Sequence, residues 1–160
     1  RKLLSLIVVQ DEIKKRPVKI ATLFQRVSDS IEKSLEQKGI LLKILCDTDT
    51  VIDVDVDLVH SLLLNLIDNA SNVTPPGKSI ELKSENNMIE VRDYGCGIPP
   101  YEIERIMEPF YVIDKSRSKI NGGSGIGLAL VKSIAIAHSA SIKIESVVGE
   151  GTTVKIDLGR

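Results

Sequence analysis

Four polar residues, Ser61, Asn65, Asn69 and Asn72, recur at steps of four, four and three. On a helix that spacing stacks their side chains along one face. The segment from about Asp57 to Asn72 is otherwise apolar: Leu58, Leu62 and Leu66 share a face, with Val59, Leu63 and Ile67 beside them. A solvated outer face would account for a polar stripe, but such faces are usually rich in Lys and Glu, and this one is built of carboxamides. Asn favours helix interiors poorly. Its carbonyl oxygen suits a hard cation such as Mg²⁺, and its amide can donate to phosphate. Asp68 stands next to the stripe.

Two further runs combine chemistry with backbone freedom. In DYGCGIPP (93–100) a carboxylate, Asp93, closes a strand-like run, and Gly95 and Gly97 follow. A carboxylate there can accept a hydrogen bond from an exocyclic amine, and the glycines can admit a flat ring. An ordinary turn after a strand would look the same. In GGSGIGLAL (122–130) the alternating Gly123, Gly125 and Gly127 run into an apolar helix. Backbone N–H groups at such a helix start form an anion site. A dinucleotide loop would need a buried strand immediately before the glycines and an acidic residue about 20 positions later. Glu145 and Glu150 lie near the second position, but the preceding SRSKIN is no buried strand. A Walker loop would need a closing G-K-[ST], which is missing.

These runs must be held by surrounding elements. Residues 1 to 15 read as an amphipathic helix with Leu3, Leu4 and Ile7 on one side, interrupted at Pro17. Ile20, Leu23, Phe24, Val27, Ile31 and Leu35 predict a core-packed helix from about Ile20 to Lys38, with Gly39 as its stop. Residues 40–46 and 51–56 read as short strands, the second alternating apolar and acidic. TPPG (74–77) ends the asparagine-bearing helix. Residues 78–84 and 88–93 form a predicted hairpin, a helix spans Ser124 to His138, and 141–146 with 153–157 form a closing hairpin. Two hairpins without strict strand–helix alternation predict a mixed sheet with helices on one face, an α/β or α+β sandwich.

Composition narrows the classes. With 21 Lys+Arg against 22 Asp+Glu, the chain lacks the basic surplus of broad nucleic-acid binding. Cys46 and Cys96 are far apart and in no C-x-x-C pair, which reads as free thiols in a reducing compartment. No run of about 20 apolar residues is present to span a bilayer. The first residue is Arg1, from which we expect a longer parent chain.

In this order, NLIDNA (65–70), DYGCG (93–97), EPFY (108–111) and GGSGIGLAL (122–130) resemble the N box, first glycine box, F box and second glycine box of the sensor histidine kinases, within the GHKL superfamily of ATPases and kinases. The resemblance runs from Ile20 to Leu158. It implies a two-layer fold with a mixed, mainly antiparallel sheet of about five strands against about three helices. Residues 17–160 would form the catalytic, ATP-binding domain, and residues 1–16 the C-terminal tail of a dimerisation and phosphoacceptor helix.

The resemblance also implies roles. Asn65 would ligate Mg²⁺, and Asn69 and Asn72 would face the nucleotide. Where the family commonly has Lys or Arg and then an aromatic, this chain has Asn72 and Val73. Asp93 would accept from the adenine amine, in a pocket shaped by Gly95, Gly97 and Ile98. Phe110 matches the F-box aromatic, and about Tyr111 to Gly122 match the ATP lid, with Lys115 and Arg117 as candidates for the β- and γ-phosphates. Gly123, Ser124, Gly125, Ile126, Gly127 and Leu128 would lie at the helix N-terminus under the triphosphate. In the related hydrolytic ATPases a Glu replaces Asn65 and serves as general base. An Asn cannot take that proton, so ATP is expected to be held for transfer to a side chain. His60 and His138 are each followed by Ser rather than by an acidic residue, and are expected to be structural. The phosphoacceptor would then lie on a dimerisation domain upstream. The other implied partner is a response-regulator receiver domain. The parent is expected to be a membrane-anchored homodimer, of which this chain is a cytoplasmic, monomeric part. Rival expectations are a serine kinase acting on a partner protein, a degenerate nucleotide-binding module, and a slow ATPase.

Overall fold

The computed structural model describes residues 13–103, 105–106 and 127–159. Along the chain run β1 (Arg16–Lys19), α1 (Ile20–Gln37), β2 (Leu41–Leu45), β3 (Val51–Val54), α2 (Val56–Val73), β4 (Ser79–Glu85) and β5 (Met88–Asp93). They are followed by α3 (Pro100–Ile103), α4 (Gly127–Ala137), β6 (Ser141–Val147) and β7 (Gly151–Asp157).

Helical spacing decides what α1 buries. Its buried residues are Ile20, Leu23, Phe24, Val27, Ile31 and Leu35, the six whose spacing predicts the stripe. It stops where Gly39 takes a left-handed conformation (φ 70°). There the Gly39 N–H donates to the Glu36 carbonyl and the Ile40 N–H to the Leu35 carbonyl, the paired bonds of a Schellman ending. In α2, Asp55 caps the start by accepting from the Leu58 N–H at 3.2 Å. At the other end the Thr74 hydroxyl donates to the Ala70 carbonyl at 2.7 Å, and Pro75 and Pro76 follow.

Five strands form one sheet in the order β2-β4-β5-β7-β6, with β2 parallel to β4 and every other pair antiparallel. Its inner face contributes Ile80, Leu82, Ile89, Val91 and Ile156 to the core. Helix α2 packs on β4 and β5, flanked by α1 and α4. The outer face carries alternating charge in register: Lys43, Glu81 and Arg92 in one row, Lys83, Glu90 and Lys155 in the next. A two-layer sandwich of mixed sheet and three long helices is therefore the observed architecture.

The structure departs from expectation at its start. Residues 13–15 have no regular structure, and Arg16–Lys19 form a strand where only an interruption is expected. β1 pairs antiparallel with β3 in a two-stranded ribbon separate from the main sheet. Pro17 is tolerated because each strand of such a ribbon has one free edge. The rest of the expected first helix, residues 1 to 12, and the lid lie outside the described residues.

Candidate functional site

Burial on several sides turns the asparagine stripe from a surface into a wall. Asn65, Asn69 and Asn72 are half-buried, while the neighbouring Asp68 is exposed. The Asn65 amide nitrogen donates to the Ser61 carbonyl at 2.8 Å. That bond turns the Asn65 oxygen away from its own backbone. Asn72 is held the other way round: its oxygen accepts from the Lys38 ammonium at 3.1 Å, and Lys38 also donates to the Ser71 hydroxyl at 2.8 Å.

Asp93 ends β5 with only 7% of its surface exposed. One oxygen, Oδ1, accepts from the Gly95 N–H at 2.9 Å and from the Thr152 N–H at 3.3 Å. Burial pushes its carboxyl pKa up, opposed by those two bonds and by the nearby Arg92. Both described bonds fall on Oδ1, which leaves Oδ2 to serve as acceptor for a donor entering the pocket.

Glycine at two positions makes this approach possible. A Cβ on Gly95 would lie 2.4 Å from the Val73 carbonyl oxygen, so the loop leaving β5 passes against the last turn of α2. A Cβ on Gly97, whose φ is 76°, would lie 2.3 Å from the Val147 carbonyl oxygen. Between them the Cys96 carbonyl accepts from the Gly149 N–H at 2.8 Å. The loop carrying Asp93 is thus clamped between the last turn of α2 and the turn joining β6 to β7.

Two residues absent from the motif reading complete the clamp. Ser146 accepts from the Ile98 N–H at 2.7 Å and donates to the Gly151 carbonyl at 2.9 Å. With its proton spent there, the 2.8 Å contact to Thr152 has the threonine as donor. Ser146 and Thr152 are cross-strand partners. The available signal was their place in the alternation: each takes an inward position that its strand otherwise fills with Ile or Val. Tyr94 turns elsewhere. Its hydroxyl donates to Glu81 at 2.7 Å and its ring lies 4.7 Å from the Arg92 guanidinium carbon.

Of the remaining expected site residues, Gly127 opens α4 and Leu128 packs against the hydrophobic core. Phe110, Lys115, Arg117, Gly123, Ser124, Gly125 and Ile126 lie outside the described residues. Both histidines are engaged within the scaffold. His60 meets the Ser30 hydroxyl at 3.1 Å. His138 is buried, donating from Nδ1 to the Ile134 carbonyl at 2.9 Å and accepting at Nε2 from the Asp55 N–H at 3.0 Å.

Residues 54–160 match the family described as Histidine kinase-, DNA gyrase B-, and HSP90-like ATPase. Sensor histidine kinase WalK of Bacillus subtilis (strain 168) is 33% identical over 147 residues, covering 88% of this chain and 24% of the relative. Sensor protein SrrB of Staphylococcus aureus (strain NCTC 8325 / PS 47) is 32% identical over 143 residues, covering 87% and 24%. The chain spans about a quarter of the length of these relatives. Among solved structures, Acinetobacter baumannii histidine kinase AdeS has a TM-score of 0.77 at 21% identity, over 99% of this chain and 76% of that one. Full-length ShkA in complex with AMPPNP has a TM-score of 0.79 at 23% identity, over 97% and 34%. At those identities the likeness is one of fold.

Proposed function

The chain belongs to the family of histidine kinase-, DNA gyrase B- and HSP90-like ATPases, and on that premise we propose that it is the ATP-binding catalytic domain of a sensor histidine kinase. In this reading it holds Mg-ATP while a histidine on a dimerisation domain attacks the γ-phosphorus. The bond to the bridging oxygen breaks and ADP leaves. The observation that carries the reading is Asp93, a buried carboxylate whose described hydrogen bonds both fall on one oxygen, on a loop packed against the end of the helix that bears the half-buried carboxamides.

Oδ2 of Asp93 accepts from the adenine amine, and the close-packed Gly95 and Gly97 leave room for the ring, with Ile98 beside them. Asn65 fits a Mg²⁺ ligand because its nitrogen is tied to Ser61 and its oxygen is the atom turned outward. When bound, the ion neutralises charge on the phosphate oxygens. Asn69 and Asn72 line the same wall. By the motif resemblance, Phe110 would be the F-box aromatic, Lys115 and Arg117 would supply charge to the phosphates, and Gly123 to Leu128 would serve as the phosphate loop. Asn65 has no basicity to activate water, which favours phosphoryl transfer over hydrolysis. The internal partners of His60 and His138 support an acceptor on another domain.

Residues 1–16 would then connect to a dimerisation domain, and 17–160 form the catalytic unit. The receiver domain of a response regulator takes the phosphoryl group onward. No described helix is long and apolar enough to cross a membrane. The relatives are named sensors, which supports placement of this unit on the cytoplasmic side of a membrane-anchored homodimer.

Asp93→Asn tests the reading sharply. Asn keeps an oxygen for the Gly95 and Thr152 N–H groups but turns an N–H toward the adenine amine. We expect a folded protein whose ATP affinity falls by about 2 kcal/mol, roughly thirtyfold, in titration calorimetry. Unaltered affinity overturns the adenine assignment.

A further inference from the structure

The main sheet has two edges, and they treat charge differently. β6 forms one edge, and its charges are matched within the sheet: Glu145 pairs with Lys143 along the strand at 3.3 Å and with Lys155 of β7 at 3.0 Å. β2 forms the other edge, LLKIL, with Leu41, Lys43 and Leu45 exposed on the outer face, the leucines by 62% and 49%. Lys43 makes no ion pair among the described residues. Its register neighbour Glu81 is turned to the Tyr94 hydroxyl, at 2.7 Å. Beside Lys43 a depression of about 280 Å³ is lined by Leu41, Lys43, Gly77, Lys78, Ser79 and Tyr94, which bring two ammonium groups and no carboxylate.

The backbone of β2 is suited to an added strand. The Leu41 N–H donates to the Lys78 carbonyl at 3.2 Å. Backbone groups alternate sides along a strand. Leu41, Lys43 and Leu45 therefore bond toward β4, and Leu42 and Ile44 turn their N–H and C=O groups to the side that no described strand occupies. Such a row is a template for pairing. The side chains of Leu42 and Ile44 pack against the core, which fixes the facing of β2. An added strand thus meets apolar, basic and apolar side chains in turn on the outer face.

Charge selects the occupant. In a two-fold antiparallel pair with a second copy, bonded through Leu42 and Ile44, Lys43 falls opposite the other Lys43, Leu41 or Leu45. The first repels, and the others set an ammonium against a leucine. An acidic residue opposite Lys43 instead continues the alternation already in that row, Lys43, Glu81 and Arg92. We infer that β2 is a docking edge for an extended segment of a partner protein, with Asp or Glu opposite Lys43 and apolar residues two positions to either side, opposite Leu41 and Leu45. The segment joins the sheet by main-chain bonds to Leu42 and Ile44. Leu41, Lys43 and Leu45 stand on the face of the sheet away from the core and α2, so the docked segment and the carboxamide wall occupy separate surfaces. The inference goes beyond the nucleotide reading and does not rest on it.

The probe is a blocked peptide, Thr-Val-Thr-Glu-Thr-Val-Thr, titrated into the whole chain and followed by amide NMR. Saturable shifts are expected at the Leu42 and Ile44 amides, with a dissociation constant on the order of a millimolar. A peptide with Lys in place of Glu should bind about three- to tenfold more weakly, and in Lys43→Glu that preference should reverse. Full N-methylation of the peptide should abolish binding. No saturable shift at those amides, or equal binding of the Glu and Lys peptides, overturns the inference. So does a wild-type chain that sediments as a dimer with the Leu42 and Ile44 amides protected from exchange, which gives the edge to a second copy. The melting temperature of Lys43→Glu is expected to match wild type. Weaker peptide binding that tracks a fall in melting temperature makes Lys43 a residue of the fold and overturns the inference as well.

Discussion

Helices α1 and α2 are both 18 residues long, and both carry apolar residues at helical spacing. They use their polar residues differently. On α1 the polar side is open to water: Gln25, Arg26, Asp29, Glu32, Lys33, Glu36 and Gln37 are exposed, and Gln25 pairs with Asp29 on the same helix. On α2 the neighbours α1 and α4 and the sheet beneath leave one narrow side, and the carboxamides on it are half-buried. Half-burying an amide costs free energy unless its hydrogen bonds are recovered. Asn65 recovers one by donating to the Ser61 carbonyl, and the bond from Lys38 is among those Asn72 recovers. α2 is also the better anchored at its start. Asp55 accepts from the Leu58 and Lys14 N–H groups and gives its own N–H to His138, whereas α1 has no side-chain N-cap. The contrast separates a helix that supports from a helix that presents.

That contrast predicts opposite mutational signatures. The largest effect is Phe24→Ala on α1, where the ring is fully buried. It should cost about 3–5 kcal/mol of stability in urea denaturation, with nucleotide affinity of the folded protein unaltered. Asn65→Ala on α2 should do the reverse. Stability moves by less than about 1 kcal/mol, while ATP affinity falls about tenfold with Mg²⁺ present and much less in chelator. Equal losses in both conditions would remove the metal role.

A smaller effect follows from His138. Burial, aided by Lys15, holds its pKa below the ordinary value of about 6.5, against the opposing influence of the Ile134 carbonyl and Asp55. The folded state keeps it neutral while the unfolded chain takes up a proton. Its contribution to stability is therefore complete above about pH 6.5 and is lost as pH falls toward the lower folded value. Melting temperature should fall between pH 7.5 and 5.5 for this reason, and His138→Gln should reduce the slope. His60 is shifted the same way by burial and Arg26 and accounts for part of the remainder. The smallest effect is at the exposed Arg26–Asp57 pair between the two helices, at 3.0 Å. Arg26→Ala should alter stability by no more than about 0.5 kcal/mol in the same denaturation assay.

Local patterns were legible because local geometry enforces them. The α1 stripe, its stop at Gly39 and the end of β5 at Asp93 all follow from spacing, turn chemistry or alternation within a few residues. β1 was not legible, because Pro17 reads as a break and its tolerance depends on a free ribbon edge. Nor was the separation of β3 from the main sheet: its alternation is that of any half-buried strand, whichever partner it takes. Ser146 and Thr152 left only a faint trace, a hydroxyl in an inward position, and Lys38 left none, since a lysine closing a helix is ordinary.

The order of residue types along the chain was enough to place carboxamides on one helical face, a carboxylate before G-x-G, and glycines before an apolar helix, because each depends on short-range periodicity. The family could be recognised from the same runs. Which oxygen of Asp93 is left for a ligand, which way each asparagine amide turns, and which cation stands behind Asn72 depended on partners 59, 4 and 34 positions away in the chain. Of these, only the four-residue step lies within the reach of helical spacing. The others exist because β7 lies beside β5 and α1 beside α2, and hydrogen-bond polarity is set by whichever group packing brings within about 3 Å.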